Sequence, residues 1–120
     1  MDEKQPHIIV NDLTMAYGDF VIQRDLNFSI QRGDVFIIMG GSGCGKSTLL
    51  RHLIGLHKPA AGSVLHAGRS LWELAESERN RLMRRMGVLY QRGALWTAMT
   101  LAENVALPLH HYTSLGKAEI

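Results

Sequence analysis

The sequence predicts an α/β fold: a small antiparallel sheet at the N-terminal end, joined to a parallel core built around a glycine-rich loop. Three observations predict it. The run Val35-Phe36-Ile37-Ile38-Met39 is apolar at every position, the pattern of a strand covered on both faces. It breaks directly into GGSGCGKST, Gly40 to Thr48, after which Leu49, Leu50, Leu53 and Ile54 set an apolar stripe at helical spacing. Upstream, Leu26, Phe28 and Ile30 alternate with Asn27, Ser29 and Gln31, as in a strand with one wet face.

Taken in order, His7 to Tyr17 reads as a strand led by Ile8-Ile9-Val10, with Asn11-Asp12 as a bulge or bend. Gly18-Asp19 turns the chain into the alternating strand that ends near Gln31. Arg32-Gly33-Asp34 turns it again, into Val35–Met39. A helix is expected over Lys46–Ile54, with Gly55 placed to end it. Pro59 to Gly62 is a loop and Ser63 to Ala67 a short strand. Ser77 can cap a helix through Met86 with Leu82, Met83 and Met86 inward, and Ser70-Leu71-Trp72-Glu73 fits an earlier capping box. Gly87–Tyr90 reads as strand. Thr100 with Glu103 three residues on opens a further helix, expected to stop at about Leu107, before Pro108.

The chemistry sits at the centre. Gly40, four residues, Gly45, Lys46, Ser47 is the phosphate-loop spacing, with a buried strand before it and a helix after it. A polyphosphate needs many donors close together, and backbone N–H groups supply them most densely. Gly40, Gly41, Gly43 and Gly45 let the chain curl without Cβ clashes, while Ser42, Cys44 and Thr48 complete the curl. The helix that follows aims its positive end at the same anion. Lys46 brings a charge to the outer phosphates, and the Ser47 hydroxyl is the expected ligand of Mg²⁺.

Composition narrows the classes. With 120 residues the chain is one domain at most, and a net charge of +2 with mixed signs leaves no nucleic-acid footprint. The polar start Met1–Pro6 has no apolar h-region, and no apolar run reaches spanning length. One cysteine excludes an internal disulfide and suits a reducing compartment.

Tyr17 before a turn, the Gly40–Thr48 loop, Gly55-Leu56 followed by Pro59 and Gly62, and Gln91 closing a strand carry a resemblance. Over essentially its whole length the chain resembles the N-terminal part of an ABC transporter ATPase, a P-loop NTPase. That resemblance implies ATP as ligand, with Tyr17 stacking on adenine and Gln91 reaching Mg²⁺ and the attacking water. It implies a transmembrane permease subunit and a second ATPase subunit as partners, with the segment after Gln91 contacting the permease. The expected location is cytoplasmic, peripheral at the inner membrane. Tyr90-Gln91-Arg92-Gly93-Ala94-Leu95-Trp96 and Thr100 to Leu109 resemble one branch, the ATPases of MCE-linked, Mla-type phospholipid transporters.

Departures from the family pattern matter as much. All five aspartates (Asp2, Asp12, Asp19, Asp25, Asp34) precede the loop, no Ser-Gly-Gly follows residue 50, and no histidine carries a switch-motif partner. Met1 reads as a true start and Ile120 not as a true end, so residues 1–120 are expected to be an incomplete single domain. The expected function is ATP binding, coupled in the complete protein to hydrolysis that drives phospholipid transport. The chain alone is expected to bind nucleotide weakly, dissolve poorly and not hydrolyse. The alternatives are a non-hydrolysing module that docks a membrane subunit, or an ATPase serving another substrate.

The remaining candidates read as structural. Cys44 lacks a base to make it a nucleophile, although an adduct there would block the phosphates. Arg81, Arg84 and Arg85 share a solvated helix face, and His110-His111 has no metal-ligand partner at the right spacing. Trp72 reads as packing and Trp96 as packing or part of a protein interface.

Overall fold

Strand β1, Ile8–Tyr17, would by simple alternation send Val10 and Leu13 to opposite faces. A bulge prevents this. The register slips between Val10 and Leu13 on one edge of the strand and between Asn11 and Thr14 on the other, and Asp12 takes φ 44°. Val10, Leu13 and Met15 therefore all point into one core. The bulge is clamped from both sides: the Asp12 N–H donates to Asn27 Oδ1 at 2.9 Å, and Asn27 Nδ2 donates to Asp12 Oδ1 at 3.0 Å. Gly62 lies against it so closely that a Cβ would stand 2.2 Å from the Asp12 carbonyl oxygen.

The computed structural model describes residues 5–120, which fall into one compact unit ending at Met86 and a second, Gly87–Ile120. In the first unit β2 (Phe20–Ile30), β3 (Ala61–His66) and β4 (Arg69–Ser70) complete a four-stranded antiparallel sheet of order β2-β1-β3-β4. Helix α1, Lys46–Leu53, contributes Leu49 and Leu53 to a core shared with Val10, Leu13, Met15, Val64 and Leu71. Gly55 ends it at φ 81°, as expected. Leu71–Glu73 forms one 3₁₀ turn and Glu76–Met83 forms α2.

A short turn does follow Ser70, as Leu71–Glu73, but the side-chain caps expected of the two serines are absent. Ser70 precedes the 3₁₀ turn without a side-chain bond, and α2 starts after Ala75, leaving Ser77 inside it. Ser70 is extended and still paired with Leu65 in the β3–β4 ladder, so the helical backbone begins only after it.

Val35–Met39 also departs from expectation: it joins no sheet, and its two faces are unequal. Phe36 stacks on Phe28 with ring centroids 5.1 Å apart, and Ile38 packs on the core. Val35 and Met39, on the other face, are 91% and 85% exposed. A strand needs a neighbour to pair with, and every ladder among the described residues is antiparallel and lies in the β1–β4 sheet.

In the second unit Gly87–Tyr90 likewise joins no sheet. Helix α3, Leu101–Tyr112, opens with the expected capping box: Glu103 N–H donates to Thr100 Oγ1 at 3.1 Å, and Thr100 N–H to Glu103 Oε2 at 2.9 Å. It runs through Pro108 instead of stopping before it, because a proline removes one donor and the turns on either side retain theirs. The Asn104 amide accepts from the Trp96 N–H and donates to the Trp96 carbonyl, fastening the preceding loop to the helix.

Candidate functional site

Between Gly40 and Thr48 the backbone turns twice through the left-handed region, at Gly43 (φ 81°) and Gly45 (φ 98°). The Cys44 N–H donates to the Gly41 carbonyl at 3.3 Å, closing the curl, and Gly45 caps α1. Glycine is required at two of these positions for space. A Cβ on Gly40 would stand 2.4 Å from Cys44 Sγ, and one on Gly45 would stand 2.6 Å from Ile22 Cγ2.

Lys46 sits at the first position of α1 and folds back over the loop. Its ammonium donates to the carbonyls of Gly40 and Gly41, the second at 3.0 Å. An ammonium has three protons, so one remains for an anion held by the loop. Ser47 follows, exposed at the helix start, and no acidic residue occupies the first turn of α1 to repel an anion. Thr48 is buried.

Several residues that support this loop carry no motif. Gln23 on β2 donates its Nε2 to the Cys44 carbonyl at 3.2 Å, tying loop to sheet. Ile22 and Met15 form the wall against Gly45. The buried His52 donates Nδ1–H to the Thr48 carbonyl at 2.8 Å, and the buried His66 donates Nε2–H to the Leu53 carbonyl at 2.7 Å. In both cases a carbonyl can only accept, which fixes the tautomer. Burial pushes the His66 ring below the ordinary histidine range, against the Leu53 carbonyl, which pulls it up; His7 pushes it down further.

The structure brings Tyr17 to the same helix. Its hydroxyl accepts from Arg51 Nη1 at 3.5 Å, and its ring meets His57 edge-on at 5.6 Å. The Thr48 hydroxyl first, and the Arg51 guanidinium second, hold the phenol below its ordinary pKa. The ring itself is 46% exposed. Gln91 belongs to the second unit, exposed in the turn that the Gly93 N–H closes onto the Tyr90 carbonyl. Among the described residues no three of His, Cys, Asp and Glu cluster to hold a metal. At the loop the Ser47 hydroxyl, with phosphate oxygens and water, would offer a metal oxygen donors of the kind that suit Mg²⁺. Among the described residues no helix is long and apolar enough to cross a membrane.

The ABC transporter family profile matches residues 23–119. The chain is 39% identical over 113 residues to the probable ribonucleotide transport ATP-binding protein mkl of Mycobacterium tuberculosis (strain ATCC 25618 / H37Rv), covering 94% of this chain and 32% of that one. It is 40% identical over 108 residues to the intermembrane phospholipid transport system ATP-binding protein MlaF of Haemophilus influenzae, covering 90% and 41%. Among solved structures it resembles the ATP-binding cassette MJ0796 in a post-hydrolysis state with ADP and Pi, at TM-score 0.83 and 29% identity, covering 93% and 51%. The chain thus spans about a third of the mkl protein and well under half of MlaF.

Proposed function

Because the chain belongs to the ABC transporter family, matched over residues 23–119, we propose that Gly40–Thr48 holds the phosphates of ATP. The observation that carries this is Lys46, whose ammonium lies over the loop on the Gly40 and Gly41 carbonyls instead of reaching into solvent. The loop amides and the N-terminus of α1 neutralise phosphate charge, and Lys46 adds a full positive charge to the outer phosphates. Ser47 is the residue to hold Mg²⁺, joined in the complete protein by Gln91. Bound there, the metal would neutralise charge building on the phosphate oxygens. Tyr17 supplies the face for adenine.

Hydrolysis belongs to the complete protein. In this sequence no four apolar residues end in Asp-Glu and no Ser-Gly-Gly follows residue 50, so the chain by itself binds without turning over. In the complete system its partners are a transmembrane permease subunit and a second ATPase subunit, at the cytoplasmic face of the membrane. Phospholipid is the proposed cargo, supported by the Gln91–Trp96 segment and the likeness to MlaF. The mkl relative, named for ribonucleotide transport, represents the alternative of another cargo.

A second reading has its own support. The exposed apolar residues Leu101 and Val105, and a hollow of about 540 Å³ lined by Met99, Val105, Ala106, Leu109 and Ile120, suit an interaction module that docks a membrane subunit. Equilibrium binding of Mg-ATP to the 120-residue chain and to Lys46→Ala separates the two. Saturable binding lost in the variant supports nucleotide binding. Equal affinities, or none in either, would leave the docking role.

A further inference from the structure

We infer that Arg51 is a positioning residue that holds the Tyr17 ring by its hydroxyl beside the phosphate loop, so that the site prefers a nucleoside triphosphate to bare polyphosphate. The inference deepens the proposed nucleotide site and rests on it.

Tyr17 is the last residue of β1 and enters a turn at Gly18, where φ is 56°. An exposed ring at the tip of a hairpin would ordinarily sample several rotamers, and a base stacking on it would have to freeze that motion. Here the ring is held. Arg51 lies three residues beyond Thr48, so both side chains rise from the same face of α1. From that face Arg51 Nη1 reaches the phenol oxygen at 3.5 Å, and the Thr48 hydroxyl acts with it to lower the phenol's pKa. The ring edge is met by His57, which stacks on the buried His52 at 5.7 Å with planes 28° apart. His52 in turn donates to the Thr48 carbonyl. These tethers on the Tyr17 ring thus lead back to α1, the helix that opens at Gly45.

The consequence is a coupling between two parts of one ligand. The loop binds phosphates whether or not a base is attached. A ring fixed by its hydroxyl offers stacking only to a ligand that carries a base, and loosening the tether weakens that part alone.

The test measures Mg-ATP and Mg-tripolyphosphate affinities for the full chain, Tyr17→Phe, Arg51→Met and the double variant. Both single variants are expected to lose about threefold to tenfold in ATP affinity, with tripolyphosphate affinity unchanged. The double variant should be no weaker than the weaker single, since both remove one contact. Equal losses for both ligands, additive losses, or no loss overturn the inference. Wild type that binds tripolyphosphate as tightly as ATP also overturns it while leaving the loop assignment intact. Wild type that binds neither overturns the proposed function itself.

A readout independent of ligand is phenolate absorbance. The difference titration of wild type against Tyr17→Phe isolates the Tyr17 curve, and Arg51→Met should move that curve to higher pH. An unmoved curve overturns the tether.

Discussion

The ammonium of Lys46 lies 3.0 Å from the carbonyl oxygen of Gly41, five residues earlier, so the glycine-rich loop is closed by its own lysine. The Gly40 and Gly41 carbonyls are covered by a positive charge. The loop's shape therefore depends on backbone that only glycine allows and on packing from the sheet below.

Gly45→Ala tests that packing. The new Cβ would stand 2.6 Å from Ile22 Cγ2 and 3.5 Å from Met15 Cε, at φ 98°. Gly18→Ala carries only the backbone cost, about 1–2 kcal/mol, since nothing lies within 4 Å. Gly45→Ala should cost about 2 kcal/mol more, as an overpacked site does, seen as a lower urea midpoint.

His66 sets a pH limit on stability. The folded chain keeps this 3%-exposed ring neutral below the pH at which an unfolded histidine protonates, about 6.5. The unfolded state therefore binds more protons across that window, and stability must fall as pH drops below about 6.5 towards the lowered folded value. Urea midpoints at pH 7.5 and 5.5 check this, with the drop reduced in His66→Asn, whose amide cannot protonate.

Thr100→Ala removes one half of the α3 capping box. The expected loss is about 1 kcal/mol of helix stability, read as reduced helical circular dichroism on mild heating of the whole chain. Thr100→Ser should retain most of it.

Val35 and Met39 lie on the uncovered face of their segment, so Val35→Lys with Met39→Lys should raise the soluble concentration of the chain without lowering its urea midpoint. A lowered midpoint would mean that this face is packed.

Local signals made much of the fold legible. The Asn11-Asp12 bulge, the alternating Leu26-Phe28-Ile30, the Gly40–Thr48 loop, the Gly55 cap and the Thr100 capping box each act over a few residues, and each stands where its sequence placed it. Val35–Met39 was legible as apolar but not as sheet, because a ladder depends on a partner strand that composition cannot supply. Ser70 carried cap chemistry but stays paired in the β3–β4 ladder, and Ser77 falls inside α2 because that helix starts earlier, after Ala75. Within the site, the motif residues announced themselves by spacing. Gln23, Arg51, His52 and His57 did not: Gln23 meets the loop and Arg51 and His57 meet Tyr17 only once the chain folds, and the His52 contact to Thr48 within α1 belongs to no motif.

The central claim is that the amides from Gly40 to Thr48 form one cup for polyphosphate beneath Lys46. Backbone amide chemical shifts during a titration with Mg-tripolyphosphate test it most directly. The account predicts saturable shifts concentrated at Gly41, Gly43, Gly45, Lys46 and Ser47, sharing one dissociation constant and abolished in Lys46→Ala. Shifts scattered over the chain, or centred on the Gly87–Ile120 unit with the loop unmoved, would contradict it.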